Sequence, residues 1–253
     1  MGIILNKDTK VIVQGITGRA GSMHAMTMLE YGTRIVGGVR PGAGGSDVHG
    51  VPVFDTVSEA VEATGANSSV LFVPPAAALD AALEALNAGI KLVVAPPENI
   101  QLHSEVRMVS AARKSGAIII GPNTAGIIDP ILKVKIGFVP NAIFSPGKIG
   151  IASRSGTLMY EMASRISEAG LGESTCVGVG GDPVQGLRFS RVCRLFEEDS
   201  ETKAILLVGE IGGSQEESPP PPPSPRLLSR APFRTCALQP PIFPSRDDSW
   251  SNS

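Results

Sequence analysis

The first residues that could carry out chemistry form a glycine-rich turn. Gly15, Gly18 and Gly21 follow one another at three-residue spacing, directly after the apolar run Val11–Gln14 and just before a helical pattern. The amino terminus of a helix offers unpaired N–H groups and a partial positive charge, and glycines let the backbone approach a phosphate closely. The pattern predicts an anion site in a mononucleotide-binding fold, with a tight turn that binds no ligand as the alternative.

The residues after the second predicted strand bear on which nucleotide would bind. That strand ends in Gly37, Gly38 and Val39 and is followed by Arg40. A nicotinamide dinucleotide site has G-x-G-x-x-G spacing and an acidic residue near this position, and neither feature is present here. Arg40 begins a flexible basic loop, residues 40–45, that suits a phosphate. We expect a nucleotide with a phosphorylated ribose and a pyrophosphate, such as coenzyme A; a nicotinamide oxidoreductase is the disfavoured alternative.

Two carboxylates lie where α/β proteins form ligand sites. Glu210 closely follows the apolar run at residues 203–208, and Asp182 follows Gly180 and Gly181. Because ligands bind at the carboxyl ends of parallel strands, Glu210 is interpreted as a functional residue. For Asp182, a functional and a structural role remain equally open.

The other titratable residues are interpreted as structural or solvated. His24 is predicted in the first helix, His49 in a loop and His103 just before a helix. All three are interpreted as solvated or packing histidines. Glu105 is interpreted as a solvated surface charge.

The elements that must position these residues alternate between strand and helix over residues 1–125, which we interpret as one Rossmann-like domain. Uninterrupted β-branched runs separated by helical patterns indicate strands covered on both faces, hence a parallel, doubly wound sheet. The predicted strands cover residues 11–14, 34–38, 69–73, 91–95 and 117–121, and the predicted helices cover residues 20–31, 57–64, 76–88 and 104–115.

A second α/β unit is predicted at residues 148–217, after an irregular connection at residues 126–147. We interpret it as an incomplete, flavodoxin-like parallel domain whose last strand, at residues 203–208, exposes apolar surface. Its predicted strands cover residues 148–152, 174–179 and 203–208, and its helices cover residues 157–169 and 187–197. Residues 218–253 begin with a proline run and contain no glycine, which predicts a disordered tail.

Composition excludes several classes of function. The formal net charge is −2, which gives no electrostatic footprint for nucleic acid. The 3 cysteines provide neither a disulfide framework nor a metal site, and Cys176 and Cys193 are expected to be buried thiols. We find no signal-peptide pattern and no run long enough to cross a membrane. The expected location is cytoplasmic; a mitochondrial matrix location would require a transit peptide, and this sequence shows none.

With these residues in place, the sequence resembles the α subunits of succinate–CoA ligase (succinyl-CoA synthetase). The resemblance covers about residues 4–217. Its motifs are TKVIVQGITG at 9–18, GGVRPG at 37–42, GVPVF at 50–54, GPN at 121–123, SRSGTL at 153–158, CVGVGGDP at 176–183 and GEIGG at 209–213. It implies that the first domain binds coenzyme A and that the second is a ligase domain.

The resemblance also implies roles for individual residues. Residues that would hold coenzyme A are Thr17, Gly18, Arg19, Ala20, Arg40, Ala43, Pro96, Pro97 and Glu98. Residues that would meet the phosphate or the carboxylic acid substrate are Asn123, Ser153, Ser155, Gly156, Thr157 and Tyr160. Glu210 would orient a catalytic histidine. A β subunit would be the partner and would bring the nucleoside triphosphate and Mg²⁺; no metal site is expected in this chain.

The sequence departs from the family pattern in ways that affect the implied function. Ala43 stands where the family has a lysine, Pro96 and Pro97 replace Ile-Thr, and Thr124-Ala125 replaces Cys-Pro. These changes could mark a branch that acts on a related acid, such as malate. The family's phosphorylated histidine, in a Gly-His-Ala-Gly loop, has no counterpart in this sequence. We therefore expect coenzyme A binding without turnover; a stand-alone binding module and a truncated gene product are the alternatives.

Overall fold

The computed structural model describes residues 2–210 and the backbone of residues 234–238. The first unit is a seven-stranded sheet with helices on both faces. Its strand order is β3-β4-β2-β1-β5-β6-β7, parallel except for the antiparallel pair β3–β4. In chain order its elements are β1 (Val11–Gln14), α1 (Arg19–Tyr31), β2 (Ile35–Val39), β3 (Asp47–Val48), β4 (Val51–Phe54), α2 (Val57–Thr64), β5 (Ser68–Leu71), a 3₁₀ turn (Pro75–Ala77), α3 (Ala78–Asn87), β6 (Leu92–Val94), α4 (Leu102–Ser115) and β7 (Ile118–Ile120).

The central strands carry apolar residues on both faces because helices cover both sides of the sheet. All of β1 and β5 is buried, and Val13 and Ile12 point into two different core clusters. Helix α3 packs closely because it presents fully buried small residues such as Ala82 and Ala85. The chain runs from β1 to β2 on one side and later returns to β5 on the other. This arrangement opens a crevice at the carboxyl ends of β1 and β5, where doubly wound sheets bind ligands.

The second unit is a six-stranded mixed sheet. Its order is β13-β12-β10-β11-β8-β9, with β13, β12, β10 and β11 parallel and β8 and β9 antiparallel to their neighbours. Its elements are β8 (Gly126–Asp129), β9 (Val134–Gly137), β10 (Pro146–Ser153), α5 (Gly156–Glu168), β11 (Glu173–Gly178), α6 (Phe189–Glu198), β12 (Ala204–Val208) and β13 (Arg234–Leu238). The α/β organisation predicted for both units is therefore present, but the second sheet is not parallel throughout, because β8 and β9 join it antiparallel.

The interpretation of residues 126–147 as an irregular connection is wrong. Strands β8 and β9 form a hairpin there, and β8 pairs with β11 in the second sheet. The glycines that suggested a loop mark a close approach of two strands instead. A Cβ on Gly126, at φ 111°, would lie 2.0 Å from the carbonyl oxygen of Ile136. Glycine at this position lets the hairpin close.

The interpretation of residues 218–253 as a tail without structure does not hold for residues 234–238. This segment forms β13, which runs parallel to β12 and pairs Ala204 with Arg234 and Val208 with Leu238. The expectation of a three-stranded second domain that leaves its last strand uncovered is therefore also wrong, because β12 has a strand on each side. The rest of the predicted tail lies outside the described residues. Among residues 2–210 and 234–238, no helix is long and apolar enough to cross a membrane.

The hairpin assignment predicts a large steric cost at Gly126. Gly126→Ala is expected to lower the free energy of unfolding by about 3 kcal/mol, because it adds a backbone collision to the cost of a positive φ. Gly170→Ala is the matched control: its φ is 73°, yet its Cβ would have nothing within 4 Å. The free energy of unfolding of this control, measured in urea, is expected to fall by about 1 kcal/mol. Equal losses in the two variants would contradict the hairpin packing.

Candidate functional site

The glycine-rich turn holds α1 against the carboxyl ends of β1 and β5. A Cβ on Gly21 would lie 2.1 Å from the carbonyl oxygen of Gly15, and a Cβ on Gly15 would lie 2.3 Å from that of Phe72. Gly18 is the N-cap of α1 and has no side chain to cap the helix, and the first turn of α1 contains no acidic residue. The amino-terminal N–H groups of α1 therefore face the crevice without competition from an Asn, Asp, Ser or Thr cap.

Arg40 brings the loop after β2 onto this turn. Its Nη1 atom donates a hydrogen bond of 2.7 Å to Thr17 Oγ1. Beside them lies a cleft of about 630 Å³, whose lining includes Thr17, Gly18 and Arg40 together with Asp80 and Glu84 of α3. A guanidinium, a hydroxyl and a helix amino terminus thus converge on one opening, which is a fit for phosphate groups.

A second cleft of about 760 Å³ continues from the other side of the turn. Both clefts are lined by Gly18, Phe72, Val73 and Pro74, so they adjoin. The second cleft brings together most of the remaining predicted coenzyme A residues, namely Arg19, Ala20, Pro96, Pro97 and Glu98, and it also reaches Asn123. The predicted residue Ala43 lines neither of these clefts; it is half-buried and packs against the first core cluster.

The amino terminus of α5 is less open than that of α1. Ser155 is its N-cap, and its hydroxyl accepts a hydrogen bond of 3.3 Å from the N–H of Leu158. Ser153 is fully buried and donates a hydrogen bond of 2.6 Å to the carbonyl oxygen of Ser155. The hydroxyls of both predicted serines are therefore hydrogen-bonded to the chain's own backbone. Gly156 and Thr157, in the first turn, are half-buried and exposed, respectively.

Tyr160 and Glu210 lie near this second helix terminus. The Tyr160 hydroxyl is buried without a hydrogen-bond partner, and a Cβ on Gly156 would lie 3.9 Å from it. Burial raises the pKa of Tyr160 to about 12, so the hydroxyl keeps its proton and remains a donor. Glu210 is exposed directly after β12. The N–H of Arg154 bonds to the carbonyl oxygen of Val208, so β10 and β12 end at the same edge.

Asn123 connects the two units. Its backbone N–H donates to Pro97 O at 3.0 Å, its carbonyl accepts from Gly181 N–H at 3.0 Å, and its Nδ2 donates to Asp182 Oδ1 at 3.0 Å. Its φ of 55° lies in the left-handed region, which asparagine tolerates better than most residues. The loop that lines the second cleft is thereby attached to the loop of the second sheet beside α5.

Glu105 was interpreted as a solvated surface charge, and this interpretation is wrong. Its side chain is only 2% exposed, in the first turn of α4, and it interacts with the Asp182 carboxyl; each of the two carboxyls has a buried oxygen without a hydrogen-bond partner. Burial first, and then the hydrogen bond and negative charge of Asp182, raise the pKa of Glu105 to about 7. Asp182 and Glu105 thus form a carboxyl pair between the units, and a proton on Glu105 removes the repulsion.

Sequence reasoning also missed a histidine in the clefts. His24 lines the second cleft, where its ring stacks on Phe72 with centroids 5.1 Å apart and lies 5.8 Å from the ring of Phe138. Its position three residues after Gly21, one helical turn onward, was the available signal. The buried state of Cys176 and Cys193 is confirmed. Within residues 2–210, no cluster of His, Cys, Asp and Glu side chains could hold a metal ion.

Comparisons with known proteins agree with this geometry. Residues 6–98 match the CoA binding domain family, and residues 152–219 match the CoA-ligase family. The α subunit 2 of an ADP-forming succinate–CoA ligase from Archaeoglobus fulgidus is 54% identical over 213 residues, which cover 84% of this chain and 74% of that protein. The corresponding α subunit from Aquifex aeolicus is 53% identical, over 85% of this chain and 71% of that one.

A relative with a different acid is nearly as similar. The malate–CoA ligase α subunit of Methylorubrum extorquens is 49% identical over 85% of this chain and 74% of its own length. Among solved structures, ATP citrate lyase from Methanothrix soehngenii, in complex with citrate and coenzyme A, superposes with a TM-score of 0.76 at 24% identity. The match covers 93% of this chain but only 41% of that one, and it supports the fold alone.

The buried pair predicts a pH-dependent stability. The folded pKa of Glu105 lies above its unfolded value, so the unfolded chain binds fewer protons between pH 4.5 and 7, and the free energy of unfolding falls as pH rises through that range. Glu105→Gln keeps a donor for Asp182 without the charge. The free energy of unfolding of this variant, measured in urea and taken relative to the wild type, should therefore rise by about 1–2 kcal/mol as the pH increases from 5 to 7.5.

Glu161→Gln provides the control for this pH series. Glu161 is exposed on α5, where it pairs with Arg165, and such surface pairs contribute little to stability. The unfolding free energy of Glu161→Gln should equal that of the wild type at every pH. A constant difference in unfolding free energy between Glu105→Gln and the wild type from pH 5 to 7.5 would contradict the raised pKa of Glu105.

Proposed function

Because the chain belongs to the family of succinate–CoA ligase α subunits, we propose that it binds coenzyme A in the two adjoining clefts and serves as the α-subunit part of an acid–CoA ligase. The observation that carries the proposal is the convergence of the open α1 amino terminus, Thr17 and Arg40 on one cleft. These groups suit the phosphates at the nucleotide end of coenzyme A. The second cleft, which Phe72 and Pro96 line, continues away from that end and suits the pantetheine arm.

The reaction joins a carboxylic acid to the thiol of coenzyme A. The acid is first converted to an acyl phosphate, the thiol then attacks the acyl carbon, and a histidine exchanges the phosphate with a nucleotide. In this proposal the nucleoside triphosphate and Mg²⁺ are bound by a β subunit. Covalent transfer through a histidine divides one difficult step into two easier ones.

The first turn of α5 is proposed to face the phosphate of that acyl group. Ser155 occupies one N–H group of the turn, and the N–H groups of Gly156 and Thr157 are left for an anion. Tyr160, with its unpartnered hydroxyl beside Gly156, would donate to the acid. Glu210, at the same edge of the sheet, would orient the phosphorylated histidine.

This sequence supplies no histidine to Glu210. Its 3 histidines, His24, His49 and His103, all belong to the first unit. We propose that these 253 residues bind coenzyme A without completing the phosphate exchange. Acyl-CoA formation from acid and nucleoside triphosphate with an added β subunit, at about 1–10³ per second, would contradict this.

The acid is proposed to be succinate, with malate as the alternative suggested by the similarity to a malate–CoA ligase subunit. The change to Thr124 does not favour malate. Thr124 is buried, its hydroxyl donates to the carbonyl of Gly178, and it accepts a hydrogen bond of 3.0 Å from the N–H of Gly126. It therefore holds the start of β8 in place.

Arg40→Ala tests the proposed coenzyme A site. The wild-type chain should bind coenzyme A saturably in calorimetry, and Arg40→Ala should raise the Kd about tenfold, because a charge-assisted contact to phosphate is lost. Arg34→Ala is the matched control, since Arg34 is exposed just before β2 at the opposite edge of the sheet. Absence of coenzyme A binding by the wild type, or an equal effect of both variants, would overturn the proposal.

Ala43→Lys tests the most evident departure from the family pattern. Ala43 lies three residues after Arg40, and its N–H bonds to the Arg40 carbonyl at 3.1 Å. A lysine on this loop should lower the Kd for coenzyme A about threefold to tenfold through an added phosphate contact. Ala63→Lys adds the same charge to an exposed position of α2 and should leave the Kd unchanged. If the two lysine variants had the same Kd for coenzyme A, this loop would not belong to the site.

A further inference from the structure

His24 lines the second cleft, and the proposed function leaves it without a role. It follows Gly21 by one helical turn, so its ring lies on the side of α1 that faces the cleft. The ring stacks on Phe72 at an interplanar angle of 24° and contacts Phe138 at 42°. Two aromatic neighbours fix the orientation of the imidazole, as a group that must meet a ligand requires.

The second cleft leads from one helix amino terminus toward the other. It begins at Gly18, passes His24, and reaches Asn123. The Asn123 carbonyl accepts from Gly181 N–H, and the Gly181 carbonyl accepts a hydrogen bond of 3.2 Å from Arg154 Nη2, immediately before α5. A ligand that places its phosphates at α1 and extends along this cleft carries its far end past His24 toward α5.

The surroundings of His24 keep its imidazole neutral. Burial first, and then the positive charge of Lys135, lower the pKa of His24 from its ordinary value. Lys135 is 1% exposed on β9, and its Nζ donates to the carbonyl oxygen of Val139 at 2.6 Å. The other charged residues that line this cleft are Arg19 and Glu98, and both are exposed. At neutral pH the ring nitrogens therefore include one acceptor for a proton.

We propose that His24 is a catalytic residue that accepts the proton of the coenzyme A thiol. The inference rests on the proposed function and deepens it. As the S–H bond breaks and the proton moves to the imidazole, the sulfur forms a bond to the acyl carbon of the acyl phosphate. The bond between that carbon and the phosphate oxygen breaks, and phosphate leaves with the bonding electron pair. The thiolate is the reactive form, and a free thiol with a pKa of about 8.5 is mostly protonated at neutral pH.

The test measures how fast bound coenzyme A reacts with a small neutral electrophile. The full chain, in excess over coenzyme A, is treated with iodoacetamide at pH 7, and alkylated coenzyme A is quantified by chromatography, which excludes alkylation of the protein's cysteines. His24→Gln removes the base and retains a polar side chain of similar length. We expect coenzyme A bound to His24→Gln to be alkylated at least tenfold more slowly than coenzyme A bound to the wild type, while the Kd of the variant for coenzyme A stays within about threefold of the wild-type value.

Two further measurements separate proton transfer from a structural role. His24→Ala leaves a gap between Phe72 and Phe138, and added imidazole should restore its alkylation rate, which a packing role does not predict. His103→Asn, at an exposed histidine of α4, should react like the wild type. Equal alkylation rates in the wild type and His24→Gln, with coenzyme A bound to both, would overturn the inference and leave the proposed function intact. Failure of the wild type to bind coenzyme A would overturn both.

Discussion

The site depends on a helix terminus that the chain does not cap with its own side chains. Helix α1 begins after Gly18, and the close packing of Gly15 and Gly21 presses its first turn against the carboxyl ends of β1 and β5. A side chain on either of these two glycines would collide with the backbone and tilt the helix away. The partial positive charge of α1 is therefore directed into a crevice where an anionic ligand can meet it.

A second constraint attaches a loop of the first unit to a loop of the second. Asn123 is bonded to Pro97 on one side and to Gly181 and Asp182 on the other, and the buried Glu105 carboxyl also interacts with Asp182. These bonds join the loop that lines the clefts to the loop beside α5. The position of the second cleft relative to α5 is thus maintained by polar contacts that are at least partly buried, where each is costly to break.

Sequence reasoning succeeded where the signal is local. The strands with apolar residues on both faces and the helices between them were predicted within a few residues, for example α2 at residues 57–64. It failed at Gly126, because residue type alone does not distinguish a glycine in a loop from a glycine where two strands approach closely. It failed at Glu105 because burial of a carboxylate depends on which loop packs over it, and that loop lies far along the chain.

The amino-acid sequence by itself determined the glycine turn, the basic residue after the second strand and the family to which the chain belongs, because each depends on residue types at fixed short spacing. Only the tertiary structure decided that the His24 ring contacts both Phe72 and Phe138, and that Asp182 meets both the Asn123 amide and the buried Glu105 carboxyl. Contacts between distant segments arise from how helices and sheets pack together, and no local pattern of residues encodes that packing.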